Sequence, residues 1–263
     1  MQQATTQNEY KYPDTTLLVT HYNRSSSLER LLRSFSDLHC HFGNIIVSDD
    51  GSKPEHIEKI RSLQSNYTFQ LITTPINKGL GNNMNKGQEA VSTPYTLYVQ
   101  EDFVPYPIFP SKLNDALHFM QTSPEMDIVR FYAYFRYPYL TPVSNGFSKM
   151  NFRLLSSGYY KFYMYSDHPH LRRTSFPAKF GRYTEGTKGD VTEYNMMMSF
   201  LQKKGTGLFY EDYKGLFDQA NSSDEPSTMK RNYWRQSENF MVTFTRHLYR
   251  HLKLNYNYFF SKY

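Results

Sequence analysis

Cysteine is nearly absent from this chain: Cys40 stands alone among 263 residues. An intrachain disulfide and a cysteine-based zinc site are thereby excluded, and a reducing compartment, the cytoplasm, is the simple expectation. Long apolar runs are missing too. No stretch approaches the length that crosses a bilayer, and Met1 to Tyr12 is polar, read as a loose arm without the apolar segment of a signal peptide. No G-x-G-x-x-G follows the first predicted strand, which disfavours a dinucleotide enzyme. Acidic residues are outnumbered, 24 against 30 Lys and Arg, for a net charge of +6 and a pI near 9.1. That permits an anionic partner such as a nucleotide or a membrane surface, and alone it is thin support for nucleic acid.

Aromatic residues, by contrast, are abundant: 24 Tyr and 20 Phe in a chain that is 39% hydrophobic. Such rings suit surfaces that handle sugars, lipid headgroups or partner proteins. The length allows one large domain with a substantial core, and no internal repeat or linker divides it.

Strand and helix signals alternate through the first half. Thr15–Thr20 reads as a buried strand; Ser26-x-x-Glu29 has capping-box spacing, and Leu28, Leu31, Leu32 and Phe35 follow at i, i+3, i+4, i+7. Asn44–Val47 is a second strand, and Ser52-x-x-Glu55 with Pro54 opens a helix carrying Ile57, Ile60 and Leu63. Phe69–Thr73 is a third strand. A Gly/Asn-rich turn, Asn77–Asn83, leads into a helix with Leu80, Met84, Gly87 and Val91 on one face. A fourth strand from Tyr95 ends in Gln100-Glu101-Asp102, ahead of Pro105, Pro107 and Pro110. This order predicts an α/β fold with a doubly wound, mostly parallel sheet. Beyond it the sequence suggests a helix over Ser111–Thr122, a strand over Met126–Phe131 and aromatic-rich strands and loops to Tyr165. There follow a helix over Asp190–Lys204 stopped by Gly205, a polar loop over Asn221–Ser227, and a helix from Arg235 to Lys253 with an aromatic tail, Tyr256–Tyr263.

Three strand ends are chemically loaded: Thr20-His21-Tyr22-Asn23-Arg24, Asp49-Asp50-Gly51-Ser52 and Gln100-Glu101-Asp102. In a parallel sheet they converge on one edge, where ligands bind. Together they would supply an aromatic platform, a carboxylate to read a base, a cation, and acidic groups suited to a divalent metal.

These segments, with Asn77-Lys78-Gly79-Leu80-Gly81 and Asn85-Lys86-Gly87, resemble the family 2 glycosyltransferases of the GT-A fold, closely over about residues 15–105 and loosely beyond. The resemblance implies one catalytic domain, with a nucleotide-sugar-binding half at about 13–105, an acceptor-binding half at about 106–230, and a C-terminal helix and aromatic tail at about 231–263. It places Thr20, Tyr22 and Asp50 on the nucleotide base, usually uracil. Arg24, Asp49, Lys78, Gly79, Asn83, Lys86, Gln100 and Glu101 complete the implied donor site. Asp102 is the implied ligand of Mn²⁺ or Mg²⁺, which would offset charge on the departing nucleoside diphosphate. The family's acidic motif is commonly Asp-x-Asp, so Gln100 is a departure that weakens the case for metal dependence.

An inverting transfer needs a carboxylate to take the acceptor proton. The resemblance places it within Thr187–Tyr194, where Asp190 and Glu193 both qualify; the same spacing also suits a capping box. The implied activity is transfer from a nucleotide sugar, UDP-linked by expectation, to a glycan or lipid-linked saccharide in cell-envelope polysaccharide or glycoconjugate biosynthesis. The alternative is a degenerate member that binds nucleotide sugar or glycan without turnover. A sugar nucleotidyltransferase would carry a Gly-rich loop with Arg where this chain has His-Tyr-Asn-Arg. The run Phe131–Tyr137 is either packing or the floor of an acceptor site, and His168-Pro169-His170 has too little context for a metal site. Near the C-terminus Arg246, Arg250 and Lys253 share one helix face and Phe240, Phe244 and Leu248 another. With Trp234, this suggests either peripheral contact with an anionic membrane, on its inner face, or a helix docked on its own domain.

Overall fold

The computed structural model describes residues 9–220 and 240–263, with side chains from Val242 onward in the second stretch. The chain enters on β1 (Tyr10–His21) and passes through α1 (Ser25–Asp37), β2 (Cys40–Asp49), α2 (Pro54–Leu63), β3 (Gln70–Ile72) and α3 (Leu80–Glu89) to β4 (Tyr95–Gln100). A short β5 (Phe103–Pro105), α4 (Phe109–Thr122) and β6 (Ile128–Arg130) lead to the hairpin β7 (Leu140–Ser144) and β8 (Phe147–Met150). Then come β9 (His170–Arg173), α5 (Phe176–Phe180), α6 (Gly189–Gln202), β10 (Gly207–Tyr210), β11 (Phe217–Gln219) and the long α7 (Phe240–Phe260).

The main sheet runs β3-β2-β1-β4-β9-β6-β10-β8-β7. β3, β2, β1 and β4 are parallel, while β9 lies antiparallel between β4 and β6. Alternation along the central strands sorts side chains onto two faces. Leu17, Val19, Leu97 and Val99 meet α1 and α4, and Leu18, Ile46 and Tyr98 meet α3 and α6. With both faces covered, the strands need the near-continuous apolar runs they show. Gly87 lets α3 sit tightly on the sheet: a Cβ there would stand 2.6 Å from Leu18 Cδ1 and 3.0 Å from Ser48 Cβ.

The structure revises several expectations. The arm is strand from Tyr10, where Tyr10–Tyr12 pair with Cys40–Phe42, and Tyr12 is buried with its hydroxyl donating to Pro110 O at 2.8 Å. Neither expected capping box forms in the first two helices; Arg24 and Lys53 precede them, without side-chain cap bonds. α1 starts at Ser25, so Ser26 lies inside its first turn, where its Oγ accepts from Lys59 Nζ at 3.0 Å, and the Ser52 hydroxyl is engaged at the site. Most of the expected aromatic tail is helical, since α7 continues to Phe260. The loop Asn221–Ser227, Trp234 and the helix start at Arg235 lie outside the described residues.

Candidate active site

The carboxyl ends of β1, β2 and β4 meet as the parallel order demands: His21 pairs with Asp49 and Thr20 with Gln100. The two loops leaving β1 and β2 are laced together. His21 Nδ1 donates to Asp49 Oδ1 at 2.8 Å, both side chains being fully buried, and His21 Nε2 accepts the Arg24 amide at 3.1 Å. That pair of bonds fixes the tautomer, with the proton on Nδ1. Asp49 also accepts the Ser52 amide at 3.0 Å and the Ser52 hydroxyl. Burial would raise its pKa, but the bonds from His21 and Ser52 outweigh it and hold the carboxyl below the ordinary value. The Asn23 amide donates to Ser52 Oγ at 2.8 Å, and the Lys53 amide to Asn23 Oδ1 at 2.8 Å. Asn23 adopts φ 53°, which asparagine tolerates.

This network changes the parts assigned to two residues. Asp49 and Asn83, grouped with the donor contacts by resemblance, face inward: Asn83 Nδ2 donates to His21 O at 3.2 Å while its Oδ1 accepts from Ser48 Oγ at 2.7 Å. They shape the loops from behind. Asp50 faces the third loop, accepting the Lys78 amide at 2.9 Å and the Gly79 amide at 2.8 Å, while burial raises its proton affinity. Gly79 has φ 90° and Gly51 φ 68°, and a Cβ on Gly51 would lie 2.4 Å from Ile76 C. Lys86 Nζ donates to Asp49 O, and Lys78 is exposed. Thr20 Oγ1 lies 2.9 Å from Tyr98 OH, and Tyr22 and Gln100 are half-buried beside them in the chain.

The densest charge lies where β4 ends. Arg24 Nη1 stands 3.4 Å from Glu101 Oε1 and 3.2 Å from Asp102 Oδ2, with all three side chains nearly buried. Burial and the neighbouring Asp102 push Glu101 up to about 7, against the pull of His21 and Arg24. Asp102 Oδ2 also accepts from Gln219 Nε2 at 3.1 Å, whereas Asp102 Oδ1 is buried with no hydrogen-bond partner. Gln219 arrives through β11, which pairs antiparallel with β5, and the Ala220 amide donates to Asp102 O at 2.8 Å. Tyr134 OH donates to Gln219 Oε1 at 3.0 Å, so one ring of the run Phe131–Tyr137 stands two hydrogen bonds from Asp102, 55% exposed and edge-on to His168.

The second carboxylate group has a member that the sequence did not reveal. α6 starts after Lys188, so Asp190 lies within its first turn and is exposed, and the Asp190-x-x-Glu193 spacing makes no capping box. Glu193 Oε1, on the inner side, accepts the Asp167 amide at 3.2 Å. Asp167 is buried, accepts from Tyr165 OH at 2.7 Å through Oδ1, and has an unpartnered Oδ2. Burial raises the proton affinity of both carboxyls; repulsion from Glu193 adds to the rise at Asp167, and repulsion from Asp190 adds to it at Glu193, where the Asp167 amide and Arg130 oppose it. Asp167 reaches the site edge because β9 runs antiparallel: the pairing Tyr98 with His170 brings the preceding residues alongside Gln100 and Glu101. The only signal in sequence was the polar run Ser166–His170 before a strand. Among the described residues no group of three or more His, Cys, Asp or Glu is arranged to hold a metal alone. A concavity of about 200 Å³ near Tyr12, Asn114 and His118 contains none of the site residues.

The sheet, parallel through β3, β2, β1 and β4 with β9 reversed beside β4, and helices on both faces, is that of the GT-A fold. The chain belongs to Glycosyl transferase family 2, whose profile matches residues 16–181. A poly-beta-1,6-N-acetyl-D-glucosamine synthase of Staphylococcus epidermidis is 29% identical over 87 residues, 33% of this chain and 21% of that protein's length. S. aureus TarS residues 1–349 in complex with UDP-GlcNAc superposes with a TM-score of 0.59 at 15% identity, covering 93% of this chain and 73% of that one. The UDP complex of the same TarS segment gives 0.55 at 17% identity, covering 81% and 62%. At such identities the superpositions speak for the fold.

Proposed function

We propose that the protein is an inverting glycosyltransferase that moves a sugar from a nucleotide donor, UDP-linked, to a glycan or lipid-linked saccharide of the cell envelope, in the cytoplasm and within one catalytic domain. The observation that carries this reading is the Arg24–Glu101–Asp102 cluster at the edge where the Asp50 loop also opens. UDP-GlcNAc bound to TarS and the polysaccharide named for the S. epidermidis relative support the donor and product class. Asp50 keeps lone pairs for a ring N–H of the base, because a carboxylate offers about four acceptor sites and two are taken by the Lys78 and Gly79 amides. Arg24 and Lys86 favour the diphosphate.

Mn²⁺ or Mg²⁺ fits the residues present in a limited way. Asp102 Oδ1, buried and unpartnered, is the oxygen that would hold it, with donor oxygens and water completing the shell. When bound, the metal would supply charge neutralisation for the leaving diphosphate. On the acceptor side Glu193 is the better placed base: its raised proton affinity suits a group that takes a hydroxyl proton near neutral pH. Asp190, exposed on the first turn of α6, is the comparison. The proton passes from the attacking hydroxyl to that carboxylate as the bond to the anomeric carbon forms and the bond to the diphosphate breaks.

Thermal shift against UDP, GDP, dTDP and CMP sugars, with and without Mn²⁺, tests the donor. A UDP-sugar shift enlarged by Mn²⁺ is expected, and preference for another base would overturn the role of Asp50. Asp102→Asn should lower transfer by at least about a hundredfold with an unchanged circular dichroism spectrum; full activity in that variant would sink the assignment. Gln100 and the Arg24 cation already seated on both carboxylates favour a second reading, binding without turnover. Donor binding with neither hydrolysis nor transfer across a broad acceptor panel would establish it.

A further inference from the structure

The outer side of α7 carries an apolar stripe. Leu248, Leu252 and Tyr256 recur at i, i+4, i+8, with Tyr249, Phe259 and Phe260 beside them, each between 48% and 74% exposed. The opposite side is firmly docked. Leu254 is buried, Asn257 Nδ2 donates to Tyr194 OH at 2.6 Å, Gln202 Nε2 donates to Ser261 O at 2.6 Å, and the Tyr258 ring meets Phe152 at 5.1 Å. The helix is thus already anchored on its own chain, and its stripe is left over after that docking.

Residues 240–263 contain no Asp or Glu, yet carry Arg246, Arg250, Lys253 and Lys262. We propose that α7 lies in the plane of an anionic membrane surface, its outer face in the boundary between headgroups and acyl chains and the exposed Lys253 and Lys262 among lipid phosphates, while Arg250 turns inward, its Nη1 donating to Tyr159 OH at 3.2 Å. A stripe of Leu, Phe and Tyr bordered by cations without acids has that chemistry. At 21 residues the helix is about 32 Å long, but no described helix is apolar enough to cross a membrane, so it rests on the surface. A second copy is a poorer occupant, since it would bring two acid-free cationic helices together. Because α7 packs on α6, whose N-terminal half carries Asp190 and Glu193, this docking would hold the acceptor side near lipid. The membrane contact itself does not rest on the transferase reading.

Co-sedimentation of the full chain with phosphatidylcholine vesicles, with and without phosphatidylglycerol, tests it. Binding should be at least about tenfold stronger with phosphatidylglycerol and should weaken in high salt. Leu248→Asn with Leu252→Asn, both on the outer face, should lower partitioning about tenfold or more while leaving the thermal midpoint unchanged. Lys253→Gln with Lys262→Gln, which leaves the stripe intact, should selectively reduce binding to the anionic vesicles. Wild-type protein that stays in the supernatant with both vesicles would overturn the proposal. So would a dimer, by light scattering, that the leucine variant converts to monomer, which would make the stripe an interface between copies.

Discussion

At the scale of single residues, the buried pair Asp167 and Glu193 makes a claim that contact counting would miss. Asp167 has one hydrogen-bonded oxygen and one bare one, and a second carboxyl nearby that also resists ionisation. Its folded pKa is raised, from the usual carboxylate range up to about 8. The sign follows from linkage: the stabilising contribution is full below the unfolded value near 4 and is lost as pH rises through about 8. Denaturant stability of the wild type should therefore fall from pH 5 to pH 9. In Asp167→Asn the Tyr165 bond can persist while the charge is gone, so the fall should shrink and the variant should be the more stable protein at pH 9 by about 1–3 kcal/mol. A variant less stable than wild type at that pH would show that the carboxylate is welcome where it lies.

Among elements, α3 shows two rules in competition. Gly87 sits inside the helix, where alanine is intrinsically better by about 1 kcal/mol. The added methyl would press on Leu18 and Ser48, and sheet and helix are both fixed there by burial. Gly87→Ala should destabilise by about 1–3 kcal/mol net, read from the urea midpoint; a stabilised variant would mean the helix can lift off the sheet. The first four parallel strands and their helices were legible because each is a local pattern: an apolar run, a turn, a 3.6-residue period. The strand ends were legible for the same reason, since parallel order alone brings Thr20, Asp50 and Glu101 to one edge. What was not legible depends on pairing between distant segments. β9 between β4 and β6, and β11 beside β5, are short strands whose partners lie far along the chain. Asp167 and Gln219 reach the site on those pairings, and nothing within a few residues of either announces it. Ser26 and Ser52 misled as helix caps because capping spacing is only a local preference: α1 begins at Ser25, which puts Ser26 inside its first turn, and His21 and Asp49 claim the Ser52 hydroxyl.

At the scale of the whole molecule, the sheet serves as a rigid comb from which loops project at one edge, and the loops differ in how they are held. The Asn23, Arg24, Ser52 and Lys53 amides each end on a side-chain atom of the other loop or of the buried His21–Asp49 pair. None of these bonds can break without disturbing its neighbours, so the two loops form a single opening unit. In native-state hydrogen exchange the four amides should exchange with one shared protection factor, higher than that of ordinary surface turns, and Ser52→Ala should release them together. Four unrelated rates would mean that the lacing is only static geometry. A shared rate would mean that the protein meets its ligand with this part of the site already ordered, and that the entropy of ordering it was settled when the chain folded.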